Sequence, residues 1–199
     1  MAETIDIYNA DGTKTGETAP RGTFLAPGRY MLYVLALIED PSGRILITQR
    51  ALDKKWAAGW WEVTGGGVRS GETSLEAVTR EVKEEVGLDV PQDATPIWRY
   101  RNDDAERGDS YLVDIYHLHL GFTLADVKLQ EREATAVRLA TRDEIRALAD
   151  EGDLPALQAP EPGTCCREGS LVLLLRAPVD MDMRPVLVAV IVPEIDENG

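Results

Sequence analysis

Cysteine is almost missing from the chain: its 199 residues hold two, Cys165 and Cys166, side by side. Adjacent cysteines rarely bridge each other, and no Cys-x-x-Cys spacing exists, so a disulfide framework and a thiolate metal site are both excluded. The pair suits a reduced, cytosolic chain. Positive charge is scarce as well. Lys and Arg number 21 against 35 Asp and Glu, a formal net charge of −14. Nucleic acid and anionic membrane surfaces both require a basic field, so neither is expected as a partner. Long apolar runs are absent. The longest, 30–38 and 186–192, are too short to span a bilayer and read as buried strands. Residues 1–6 carry no basic n-region and no apolar h-region, so a cytoplasmic location is expected by default.

What is present is ordinary for a globular protein, with 44% hydrophobic and 28% charged residues. The length suits one domain with appendages. Residues 4–8 alternate and end at the turn Asn9-Ala10-Asp11-Gly12, which reads as a short strand and hairpin. Residues 13–28, punctuated by Gly and Pro, read as a connecting arm. Strands are expected at 29–39 and 44–50, across the turn Asp40-Pro41-Ser42-Gly43. A loop over 51–59 and a short strand over 60–64 lead into Gly65-Gly66-Gly67. Strands 95–101 and 110–120 flank a polar segment, and another strand covers 134–139. A helix over 141–151 turns Ile145 and Leu148 inward. Residues 152–169 read as a linker, followed by strands at 171–175 and 186–192. No internal repeat is visible. The pattern is an α/β (α+β) layered fold with a mixed sheet. Its expected divisions are an arm over 1–28, a domain over 29–157 and an extension over 158–199.

The clearest element is a helix beginning after Thr73. Thr73 and Glu76 form a capping-box pattern, Leu75, Val78, Val82 and Val86 make an apolar stripe, and Gly87 stands where a helix should end. Glu81, Glu84 and Glu85 fall at i, i+3 and i+4, within an arc of about 100° beside that stripe. Three like charges so close destabilise one another without a partner. A solvated acidic face is the plain alternative. A hard divalent cation is the natural partner, since magnesium takes carboxylate oxygens and shares phosphate oxygens with a substrate.

The surrounding residues complete a longer pattern: Gly66, Glu72, Arg80, Glu81, Val82, Glu84, Glu85, Gly87 and Leu88. At average residue usage a chance match at a given start is on the order of 10⁻¹⁰. The chain thus resembles the Nudix hydrolase family. That resemblance implies a mixed sheet sandwiched between helices, here with an extra C-terminal strand pair. It also implies hydrolysis of a diphosphate linkage with Mg2+ or Mn2+. Glu81, Glu84 and Glu85 would bind the metal, joined by the Gly66 carbonyl. Arg80 would orient the glutamates, Glu72 would support Arg80 or a metal-bound water, and Gly87 would be structural. The general base beyond the box varies in the family. Glu133 is the candidate here, with Glu131, Asp103, Asp104 and Glu106 as alternatives.

Outside the box, Arg50, Lys54, Lys55 and Arg69 cluster near the presumed phosphate end and could offset the acidic field. Trp56, Trp60 and Trp61 crowd the approach to the glycines; Trp61 could stack on a substrate or pack in the core. His117 and His119 share one face of a strand at a spacing that suits a metal, or serve as ordinary strand residues. The arm over residues 5–12 is similar to that of the isopentenyl-diphosphate isomerase subgroup. Those isomerases need a cysteine near the strand before the box, and no cysteine precedes Cys165. The alternatives to hydrolysis are therefore an isomerase-like enzyme and a non-catalytic binding module. The expected substrate is a small phosphate compound, a nucleoside diphosphate linked to another group. A homodimer would cover the edge offered by the last two strands.

Overall fold

Residue patterning builds the sheet outward from one central strand. The computed structural model describes residues 3–54, 58–106, 108–151, 171–173 and 190–192. In chain order the strands are β1 (Thr4–Tyr8), β2 (Lys14–Pro20), β3 (Met31–Glu39), β4 (Ile45–Arg50), β5 (Trp61–Glu62) and β6 (Thr64–Gly67). Helix α1 (Ser74–Val86) precedes β7 (Trp98–Asn102), β8 (Tyr111–His119) and β9 (Ala134–Ala140). Helix α2 (Arg142–Glu151) precedes β10 (Leu171–Leu173) and β11 (Val190–Val192).

β3 reads Met-Leu-Tyr-Val-Leu-Ala-Leu-Ile-Glu with no polar alternation, because both of its faces are covered. It runs parallel to β8 and antiparallel to β4 and β6. The sheet order is β5-β4-β3-β8-β7, with β6 also on β3 and β9 also on β4. Leu32, Val34, Ala36 and Ile38 pack with Val78, Val82 and Val86 of α1 on one face. Met31, Tyr33, Leu35 and Leu37 pack with Ile145 and Leu148 of α2 on the other. The mixed sheet is thus sandwiched between two helices, each supplying an apolar stripe.

The N-terminal hairpin expected from the turn at residues 9–12 forms, with β2 lying inside the span 13–28 that reads from sequence as a connecting arm and pairing antiparallel with β1. The three glycines follow the short strand β5 but are themselves in a strand, β6, paired to β3 from Tyr33 to Ala36. A Cβ on Gly65 would run into the Val34 carbonyl and the Leu35 side chain, so the two strands lie this close because the residue is glycine. Of the terminal strands, the described parts β10 and β11 pair with each other as the expected strand pair, Leu171 opposite Val192. The linker over 152–169, with both cysteines, lies outside the described residues, as do Lys55 and Trp56.

Among the described residues, no helix is long and apolar enough to cross a membrane.

Candidate active site

The site starts from the N-terminus of α1. The Glu76 N–H donates to Thr73 Oγ1 at 3.2 Å, and the Thr73 N–H donates to Glu76 Oε2 at 2.7 Å, closing the capping box. Gly87 ends the helix at φ 76°, its N–H donating to the Val82 carbonyl. The glutamates therefore project from a helix defined at both ends.

The loop before α1 is tied down by the hairpin. Ser70 Oγ donates to Asp6 Oδ1 at 2.7 Å, and the Gly71 N–H donates to Asp6 Oδ2 at 3.1 Å. Lys14 Nζ bridges Asp6 and the Glu72 carbonyl. Glu3 pairs with both Arg21 and Arg69.

Arg80 is the hub. Its Nε and Nη2 donate to the two oxygens of Glu72 at 2.7 and 2.9 Å. Nη1 donates to Glu81 Oε1 at 2.6 Å, and Nη2 also reaches the Gly67 carbonyl at 3.0 Å. The planar guanidinium makes such a fork possible. Burial alone would raise the Glu72 carboxyl's pKa; Arg80 and the Arg69 N–H outweigh it and hold that carboxyl low. Glu81 is buried against Gly66, where a Cβ would overlap its carboxylate. Burial raises the Glu81 pKa in spite of Arg80.

Glu85 differs from its neighbours. Among the described residues no ion pair reaches it. Burial pushes its carboxyl well up, and Glu81, Glu62 and Glu133 push it further, tempered by the Gly65 backbone amide. Glu84 is more exposed, with Arg80 at 3.7 Å and Arg69 at 3.8 Å. Sequence reasoning missed Glu62. It lies on β5 opposite Thr48, pairs with Arg50 at 3.2 Å, and is raised by burial. The available signal was a charged residue between Trp61 and Val63 just before the glycines.

Glu133 pairs with Lys54 at 2.6 Å, and its carbonyl accepts from the Ala51 N–H. Arg50 and Lys54 therefore meet the carboxylate cluster, and Arg69 meets Glu3 and Glu84. Trp61 lies elsewhere. Its partner on β4 is Gln49, on the α2 side of the sheet, and the Arg138 guanidinium sits 4.5 Å from its ring centroid. Glu131 is exposed. Asp103 is held by Tyr30 and Arg101, and the Asp104 N–H by Ser110. His117 and His119 join Glu39, not the box.

Comparison with known proteins shows the family and the fold. The family model described as NUDIX domain matches residues 29–159. A Nudix hydrolase of Listeria monocytogenes, described as uncharacterised, is 32% identical over 152 residues, covering 76% of this chain and 87% of its own. Isopentenyl-diphosphate Delta-isomerase of Escherichia coli is 31% identical over 107 residues, 52% of this chain and 59% of its own. The crystal structure of DR0079 from Deinococcus radiodurans aligns with TM-score 0.60 at 21% identity, covering 75% of this chain and 90% of that one, a likeness of fold.

Proposed function

We propose, from the premise that this chain belongs to the Nudix family and is a hydrolase of diphosphate linkages, that it cleaves a nucleoside diphosphate joined to another group, using Mg2+ or Mn2+. The observation that carries the metal is Glu85: among the described residues a carboxyl that no ion pair reaches, set among Glu62, Glu81 and Glu133. Such crowding of hard oxygen donors fits a small divalent cation. Glu81, Glu84, Glu85 and the Gly66 carbonyl would hold it. A cation bound there would lower the pKa of water and draw charge from the phosphoryl oxygens.

The chain's own residues supply the rest. Arg80 fixes Glu81 and Glu72 through its fork, so the metal-facing carboxylates are set before substrate arrives. Glu133, held by Lys54, would take the proton of the attacking water at a carboxylate oxygen. Arg50, Lys54 and Arg69 would meet the diphosphate oxygens, which suits an enzyme whose overall charge is negative. Trp61 serves this reading only from beneath the sheet, through its packing. The homodimer and the cytoplasmic location belong to the same proposal.

Isomerase chemistry is disfavoured, because Thr64 opens β6 and no thiol precedes Cys165. A binding module would have no need of an uncompensated Glu85.

The test is Glu85→Gln, screened with magnesium or manganese against nucleotide sugars, dinucleoside polyphosphates, damaged nucleotides, coenzymes and prenyl diphosphates. Circular dichroism should be unchanged, and formation of the two phosphomonoester products, read as phosphate after coupling to a phosphatase, should fall by roughly 10²–10³-fold, the loss typical of removing one charge-stabilising group. Hydrolysis at the wild-type rate would overturn the metal assignment.

A further inference from the structure

We propose that Glu39, His117 and His119 form a second metal site, for a divalent transition-metal ion of the zinc type, on the opposite face of the sheet from the glutamate box. Two imidazoles and one carboxylate are a borderline donor set that selects zinc-like ions over magnesium.

The parallel register of β3 and β8 makes the site. Glu39 stands opposite His119, and Leu37 opposite His117. Residues two apart on a strand share a face, so both imidazoles stand on the side of Leu35 and Leu37, the α2 side. Gly66 is paired with Val34, whose side chain packs on the α1 side. The two sites are therefore separated by the thickness of the sheet.

The geometry is close to what an ion needs. His117 Nε2 lies 2.8 Å from Glu39 Oε2, and His119 Nδ1 lies 3.7 Å from Glu39 Oε1. The three ligand atoms all fall within 4.8 Å of one another. In a tetrahedral zinc site with bonds of about 2.0–2.2 Å, ligand atoms stand roughly 3.3–3.5 Å apart. Small side-chain rotations bridge the difference. The rings lie 4.1 Å apart between centroids.

Glu39 and His117 are largely enclosed, with side chains 13% and 8% exposed, whereas His119 is 67% exposed. The ion would enter from the His119 side and keep a coordination position toward solvent. One charge opposes it. Arg142, at the start of α2, places Nη2 3.8 Å from Glu39 Oε2 and would have to turn away. An ion held here would tie the ends of β3 and β8 together.

The test uses the whole protein with excess magnesium, so that the box is occupied. Zinc uptake is followed by calorimetry, and Cu2+ in its place reports imidazole nitrogen in its electron paramagnetic resonance spectrum. Wild type should take up one equivalent of zinc with a nitrogen signature. Glu85→Gln should retain it. His119→Asn, at an exposed position that should not disturb folding, and Glu39→Gln should each weaken zinc by more than the roughly 10–100-fold that an outer-sphere partner contributes. Absence of uptake by wild type overturns the site, as does uptake unchanged in His119→Asn. Uptake lost in Glu85→Gln overturns it too, by assigning the zinc to the box, while failure of hydrolysis alone touches only the proposed function.

Discussion

Arg80 grips Glu72 through two parallel hydrogen bonds, Nε to Oε1 and Nη2 to Oε2, while its third nitrogen holds Glu81. The loop residue Glu72 and the helix residue Glu81 are therefore oriented by one planar group. Lysine carries the same charge but lacks the fork. Arg80→Lys should keep the fold and lose roughly 10–100-fold in metal affinity or activity, the range for groups that orient ligands. Manganese calorimetry alongside steady-state kinetics would measure both.

Gly66→Ala tests how close the strand must come to the helix. The new methyl group would meet the Glu81 carboxylate, which Arg80 prevents from simply moving aside. Folding should suffer by about 1–3 kcal/mol, as overpacking typically does. Metal binding should suffer more. A denaturant titration paired with manganese binding would show whether the functional loss exceeds the structural one.

Glu85→Gln should also change the metal-free protein. The wild-type carboxylate is crowded by Glu81, Glu62 and Glu133, and the amide removes that repulsion. Without divalent ions the variant should melt at a higher temperature than wild type. With rising magnesium the wild type should gain stability by mass action and the variant should gain little. Thermal melts across a magnesium series, with a chelator as the zero point, test the crossover.

Asp40 sets a different pH response. Burial would raise its carboxyl, but the Ser42 hydroxyl and the Arg44 backbone and side chain outweigh that and hold it well below the ordinary aspartate range. A depressed carboxyl stabilises the fold above its unfolded value and loses that contribution as pH falls through the folded one. Asp40→Asn should therefore melt below wild type at neutral pH. The gap should narrow as the pH drops below the ordinary aspartate range. Paired melts from neutral to strongly acidic pH would measure it.

Helix α1 was legible because its signals are local: the cap at Thr73, the stripe through Val78 and Val82, and the stop at Gly87. The acidic arc of Glu81, Glu84 and Glu85 follows from the same pitch. The N-terminal hairpin was legible from its turn, but the span of its returning strand β2 was not, since Lys-Thr-Gly-Glu-Thr-Ala-Pro buries almost nothing and is a strand only by pairing with β1. β5 is two residues long and exists through its pairing with β4, so the side of the sheet that Glu62 and Trp61 each occupy could not be read beforehand. The spacing of His117 and His119 was visible. Their third partner, Glu39, is brought in from 78 residues away by parallel register, which no local pattern encodes.

The hairpin of β1 and β2 stands outside the match to the NUDIX domain model, which begins at residue 29. Yet Thr4, Asp6 and Lys14 supply hydrogen bonds that hold residues 70–72, and Ile5 and Ile7 are buried in the core. The family model and the mechanics thus draw the start of this domain at different places. A fragment trimmed to the family model's span would keep every box residue and lose the brace that steadies Glu72, so boundaries for expression should follow the hydrogen bonds.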